Sequence, residues 1–148
     1  MSVSPTPDGK ILILSTISCA DPAADAVGQA HLHHAANTYV IRVPSPVLFP
    51  DQFYYDCFEK GFAGIIVMSC GHECPYQGAF ERLTKRIDRV KLGLKERGMD
   101  PGLLRLTAIC TVCTKAYVKE IEDMNARILA AEQAQAETAT AAVGGDAA

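Results

Sequence analysis

Four short, largely apolar runs alternate along the chain with longer segments whose apolar residues recur every three or four positions. The runs are Ile11–Ser15, Tyr39–Val43, Gly64–Ser69 and Leu104–Ile109. Each is too short for a buried helix, and none shows the strict apolar–polar alternation of a sheet with one wet face. Strands of this kind are covered on both faces, which calls for a parallel sheet between two layers of helix. The intervening segments supply those helices. Asp21-Pro22 places an N-cap before a proline at the first helical position, and the helix is expected to run to about Ala36. Asp51 opens a second helix through about Gly61, with Phe53/Cys57 and Tyr54/Phe58 at four-residue spacing. Ala79–Arg97 is the longest, carrying Phe80, Leu83, Ile87, Val90 and Leu94 on one face and stopping at Gly98. Lys115–Ala131 is the last, with Val118, Ile121 and Ile128 inward. The expectation is a single α/β domain, a flavodoxin-like three-layer sandwich around a four-stranded parallel sheet of order 2-1-3-4, with right-handed crossovers.

The 148 residues suit one such domain, with no internal repeat. Residues 1–10 read as an N-terminal arm and 11–131 as the domain. The tail at 132–148, rich in alanine and poor in large apolar residues, is expected to be disordered. A net charge of −3 gives no reason to expect a nucleic-acid partner. The apolar runs are too short to cross a bilayer. Met1–Lys10 is polar and contains prolines, unlike a signal peptide. A cytoplasmic location follows as the expectation, where thiols stay reduced.

In such a compartment, close pairs of cysteines point to metal or redox chemistry rather than structural disulfides. Ligands of parallel α/β folds bind beyond the carboxyl ends of the strands. Cys19 follows the first strand, Cys70 and Cys74 the third, Cys110 and Cys113 the fourth. In the order 2-1-3-4 those three strands are neighbours about 4.8 Å apart, so the five thiols can converge on one rim. The pairs in "CGHEC" and "CTVC" supply four thiolates, Cys70, Cys74, Cys110 and Cys113, a soft donor set suited to zinc or an iron–sulfur cluster. Cys19 is spare or replaces one of them. Cys57 lies on the apolar face of its helix and reads as packing. His72, between Cys70 and Cys74, is a ligand, a hydrogen-bond donor to sulfur, or a solvent-facing residue. His31 and His34 share a helical face but have no third ligand nearby. Glycine-rich phosphate loops and the GxSxG nucleophile motif are absent. Arg82, Lys85, Arg86 and Arg89 form a basic stripe on the third helix, either a solvated face or a docking face for an acidic partner.

The segments "ILILSTISCADPAAD", "YVIRVPS" and "GFAGIIVMSCGHECPYQGAFERLTKRIDRVKLGLKERGMDPGLLRLTAIC" resemble the delta subunit of methyl-viologen-reducing hydrogenase, over about residues 10–128. The resemblance implies a small iron–sulfur domain with a cysteine-bound [2Fe-2S] cluster. It also implies a relay of electrons between a hydrogenase or dehydrogenase subunit and a heterodisulfide-reductase-like subunit, the chain itself being non-catalytic. The cysteine pattern departs from the family in four places. Thr16 stands where the first cysteine of a CxxC is usual, and Cys19 matches the second. The "VPSPVLFP" loop carries no cysteine. Cys70 and Cys74 are separated by three residues rather than four, and the Cys110/Cys113 pair has no counterpart in the family. A relocated site on Cys70, Cys74, Cys110 and Cys113 is the reading that these departures imply. Two alternatives remain: a structural zinc module, and a dithiol redox protein in which Cys110/Cys113 exchange, helped by the helix that follows them.

Overall fold

The computed structural model describes residues 8–144. Its elements, in chain order, are β1 (Lys10–Thr16), α1 (Ala20–Gln29), β2 (Thr38–Val43), α2 (Asp51–Glu59), β3 (Phe62–Ser69), α3 (Ala79–Glu96), β4 (Leu104–Ala108) and α4 (Thr114–Gly144). Single 3-10 turns precede α2, α3 and β4. All four strands are parallel and lie in the order β2-β1-β3-β4. The expected fold class and strand order are therefore observed.

The two-residue period of the strands divides the core in half. Ile11 and Ile13 of β1, with Ile66 and Met68 of β3, pack under α1 and α4 against Ala23, Val27, Tyr117, Ile121, Met124 and Ile128. Leu12 and Leu14, with Ile65 and Val67, face the other way against Tyr54, Cys57, Leu83, Ile87, Val90 and Leu94 of α2 and α3. Ile11, Ile13, Ile65 and Ile66 are wholly buried, each worth about 1.5–3 kcal/mol of transfer free energy. α4 can lie this close to β3 because position 64 is glycine. A Cβ there would sit 2.7 Å from the Met124 sulfur.

Several boundaries differ from expectation for identifiable reasons. α1 ends at Gln29 rather than about Ala36, because Val27 is its last buried side chain and the following residues His31, Leu32, His33 and His34 are exposed. His31 takes a left-handed φ of 54°, so His31 and His34 share no helical face. β2 is not covered on both faces. It is an edge strand on which Tyr39, Val40 and Ile41 are exposed. Lys10 belongs to β1 rather than to an arm, and residues 1–7 lie outside the described part. The segment from residue 132 continues α4 to Gly144, with side chains 132–142 exposed. Alanine, glutamine and glutamate propagate a helix well once the packed part has nucleated it, even without a face to bury. Residues 145–148 lie outside the described part.

Candidate functional site

The carboxyl ends of β1, β3 and β4 carry three loops, and backbone bonds tie them into one rim. Ile109 N–H donates to the Ser69 carbonyl at 3.0 Å, holding the loop after β4 to that after β3. The buried Thr16 hydroxyl donates to the Met68 carbonyl at 2.7 Å, closing β1 onto β3. Each loop then turns tightly. Cys19 N–H reaches the Thr16 carbonyl (3.2 Å), Cys74 N–H the Gly71 carbonyl (3.3 Å) and Cys113 N–H the Cys110 carbonyl (3.2 Å). Gly71, at φ 61°, lets the β3 loop pass close to the end of β4; a Cβ there would lie 3.0 Å from that of Ala108.

The turns put sulfur on the rim in two groups. Cys70 donates its thiol to Cys19 across 2.8 Å and lies 3.1 Å from the Ser18 hydroxyl. Cys74 is half-buried and lines a small hollow with Thr16, Ser69, Cys70 and Gly71. Cys110 and Cys113 are joined as a disulfide, with Cα atoms 5.1 Å apart. Both groups open onto a single cleft of about 660 Å³ whose lining includes Ser18, Cys19, Cys70, His72, Cys110 and Cys113. Cys70 borders both the cleft and the hollow. Among the described residues, no three or more His, Cys, Asp or Glu side chains stand as a group that could hold a metal ion. The sulfurs stand instead as one contact pair with Cys74 nearby, and one bonded pair.

Burial is the main force on Cys19, which is 6% exposed. It pushes the thiol up from 9.0 to about 12, and the hydrogen bond from Cys70 and the charge that Cys70 would carry act in the same direction. The unfolded chain loses this proton near 9.0, so between there and about 12 the folded state binds more protons than the unfolded one. The stabilisation is complete below the unfolded value and is lost as pH rises through that window. Without metal, the reduced protein is expected to lose stability on going from neutral pH to about pH 10, and Cys19→Ala should flatten the loss in urea titrations at the two pH values.

Cys57 is buried in the core between sheet and α2/α3, as its spacing implied, and burial raises its pKa. His72 is exposed and packs its ring edge-on against Phe80 at 4.8 Å. Ser18, which contacts Cys70, escaped sequence reasoning because a lone serine in a loop carries no signal. The exposed apolar residues of the rim loops, Ile17, Tyr76 and Val112, escaped it too.

The basic stripe divides. Arg86 donates through Nη1 to the Val47 and Phe49 carbonyls and lies 3.3 Å from the Asp51 carboxylate. Arg89 grips Asp51 through Nε and Nη2, both at 3.0 Å. This grip, more than any other contact, holds the Asp51 carboxyl below the ordinary carboxylate range. Both arginines tie α3 to the start of α2, whereas Arg82 and Lys85 are exposed and make no ion pair among the described residues. Arg86→Ala is expected to cost about 2–3 kcal/mol, since it strands two partly buried carbonyls. Arg89→Ala, an exposed pair, should cost less than about 1 kcal/mol. Denaturant midpoints of the two variants check the order.

A parallel α/β sandwich with sulfur at the mouths of three neighbouring strands is thus the class of protein that the structure defines. A family model for methyl-viologen-reducing hydrogenase, delta subunit, matches residues 11–131, and the chain belongs to this family. It is also similar to the A component of ferredoxin:CoB-CoM heterodisulfide reductase from Methanosarcina mazei, 30% identical over 115 residues. A similar match, also 30% over 115 residues, is to the A component of ferredoxin/F420H2-dependent CoB-CoM heterodisulfide reductase from Methanosarcina acetivorans. Each alignment covers 72% of this chain and 14% of the relative, so the chain spans about a seventh of the length of these larger proteins.

Proposed function

We propose that the chain is an electron-transfer subunit carrying a [2Fe-2S] cluster. In this reading it relays electrons between a hydrogenase or dehydrogenase module and a heterodisulfide-reductase-like module. The observation that carries the reading is the contact of Cys19 with Cys70 in the same cleft as Cys110 and Cys113, in a chain of this family. No helix among the described residues is long and apolar enough to cross a membrane.

The donor set fits an iron–sulfur centre in its chemistry. Sulfurs from three loops face one cleft, and among the described residues the side chains bonded to the Cys70 thiol are those of Ser18 and Cys19, not a carboxylate. Cys70, Cys74, Cys110 and Cys113 are the proposed ligands, with Cys19 able to take the place of one. Cys110 and Cys113 ligate as separate thiolates, after reduction. A bound cluster supplies one-electron storage close to the surface. Around it, each ligating thiol gives up its proton on metal binding, the Ser18 hydroxyl can donate to a Cys70 thiolate, and the cleft opens the site to a partner. Exposed Ile17, Tyr76 and Val112, with Arg82 and Lys85 on the adjoining helix, supply a docking face with an apolar centre and basic flank.

Anaerobic reconstitution of the reduced protein with iron and sulfide tests the proposal. Visible absorbance with iron and acid-labile sulfide in equal amounts supports it. A colourless protein holding one zinc would establish the structural-metal alternative instead.

A further inference from the structure

The cleft holds one pair of sulfurs joined and a second pair touching but unjoined. We propose that Cys110 and Cys113 are a reversible two-electron switch on the thiol site. Joined, they are withdrawn from the pool of metal ligands; opened by a dithiol reductant, they enter it. The effect on metal rests on the reading of the rim as a metal site, whereas the redox couple itself does not.

Three features carry the inference. First, the backbone around the pair is fixed by hydrogen bonds that do not involve the sulfurs. Upstream, buried Ile109 is bonded to the β3 loop through the Ser69 carbonyl. Downstream, the N–H of buried Tyr117 bonds the Cys113 carbonyl in the first turn of α4. Between these anchors the Cys113 N–H to Cys110 carbonyl bond sets the Cα atoms 5.1 Å apart, within disulfide range. Opening the bond therefore asks nothing of the fold beyond rotation of two side chains. Second, access differs between the pairs. Cys110, Thr111 and Val112 are exposed, so an incoming thiolate reaches the Cys110 sulfur. Cys19 is buried beneath the rim and is shielded from the same attack. Third, the two pairs share the cleft, so the state of one changes how many thiolates the other can join.

The chemistry balances as a thiol–disulfide exchange. A thiolate of the reductant attacks the Cys110 sulfur; the bond to Cys113 breaks, and the Cys113 sulfur leaves with the electron pair and takes up a proton. The reductant's second thiolate then attacks its own sulfur in the mixed disulfide and releases Cys110, which is protonated in turn. The protein gains two electrons and two protons, and the dithiol leaves as its disulfide.

The test uses the whole chain, free of metal. Samples equilibrated anaerobically in graded ratios of reduced to oxidised dithiothreitol are alkylated, and labels are counted on each peptide by mass. Cys110 and Cys113 are expected to gain two labels together, on a two-electron curve, while Cys19, Cys57, Cys70 and Cys74 stay labelled after unfolding throughout. Cys113→Ser should abolish the transition. The two end states, freed of dithiothreitol, are then titrated with Co²⁺ alone, whose thiolate charge-transfer absorption reports on bound sulfur. Reduced protein should bind at least tenfold more tightly than disulfide protein. Independent labelling of Cys110 and Cys113, or pairing of Cys19 with Cys70 in their stead, overturns the switch. Equal cobalt binding by both states overturns the control of the site and leaves the metal reading standing. A clean two-electron couple with no cobalt bound in either state overturns both the control and the metal reading.

Discussion

Cys70→Ser is expected to yield a protein that folds but stays colourless after anaerobic reconstitution. Cys70 is the one thiol that borders both the cleft shared with Cys19, Cys110 and Cys113 and the hollow that contains Cys74. The four sulfurs of the β3 and β4 loops include it, and without it Cys19 and Cys74 border no common cavity. A serine hydroxyl at that position keeps the hydrogen-bonding capacity towards Ser18 but is a hard, weakly acidic donor that iron in a cluster holds poorly. Iron and acid-labile sulfide should both fall to background, with the far-ultraviolet circular dichroism unchanged. Cys57→Ser provides the contrast. Its sulfur lies in the other half of the core, so the spectrum should survive, while burial of a hydroxyl costs about 1–3 kcal/mol. Bleaching by Cys57→Ser with a coloured Cys70→Ser protein would show that the thiols have been sorted wrongly.

Gly71→Val is expected to damage stability and site together. The residue sits at φ 61°, where a β-branched side chain is strained, and its Cβ would stand 3.0 Å from that of Ala108. The strain and contact together should cost about 2–3 kcal/mol, read from a denaturant midpoint. The same contact acts between the loop that carries Cys70 and the end of β4, just before Cys110. Relief by moving them apart widens the cleft, so metal uptake should fail even at temperatures where the variant is fully folded. Gly71→Ala should lie between the two proteins in both measurements. A valine variant of unchanged stability and metal content would mean that the rim is looser than the geometry requires.

Much of the architecture is written locally. The alternation of Ile11 and Ile13 with Leu12 and Leu14 already assigns each side chain to one of two half-cores, because a two-residue period leaves no other choice. Leu83, Ile87, Val90 and Leu94 do the same for α3. What escapes sequence reasoning depends on strand order or on distant atoms. Tyr39, Val40 and Ile41 look like the interior of a sheet, and only their edge position exposes them. Arg86 looks like part of a solvated stripe, since the carbonyls of Val47 and Phe49 that it satisfies have no residue signature. The convergence of Cys19, Cys70, Cys110 and Cys113 was legible from strand order. The closure of Cys110 on Cys113 is the pairing that the dithiol alternative expected. The contact between Cys19 and Cys70, which are 51 residues apart, was not legible, because it depends on side-chain rotation within the loops.

Because every strand points the same way, the molecule has a reactive pole and an inert one. α4 starts at the sulfur rim and runs back along the sheet until Ile128 lies beside Gly9, next to the start of β1. Polypeptide joined before residue 9 or after the packed part of α4 would therefore attach at the inert pole. A fusion partner placed there would leave the thiols clear for a second protein to approach head-on.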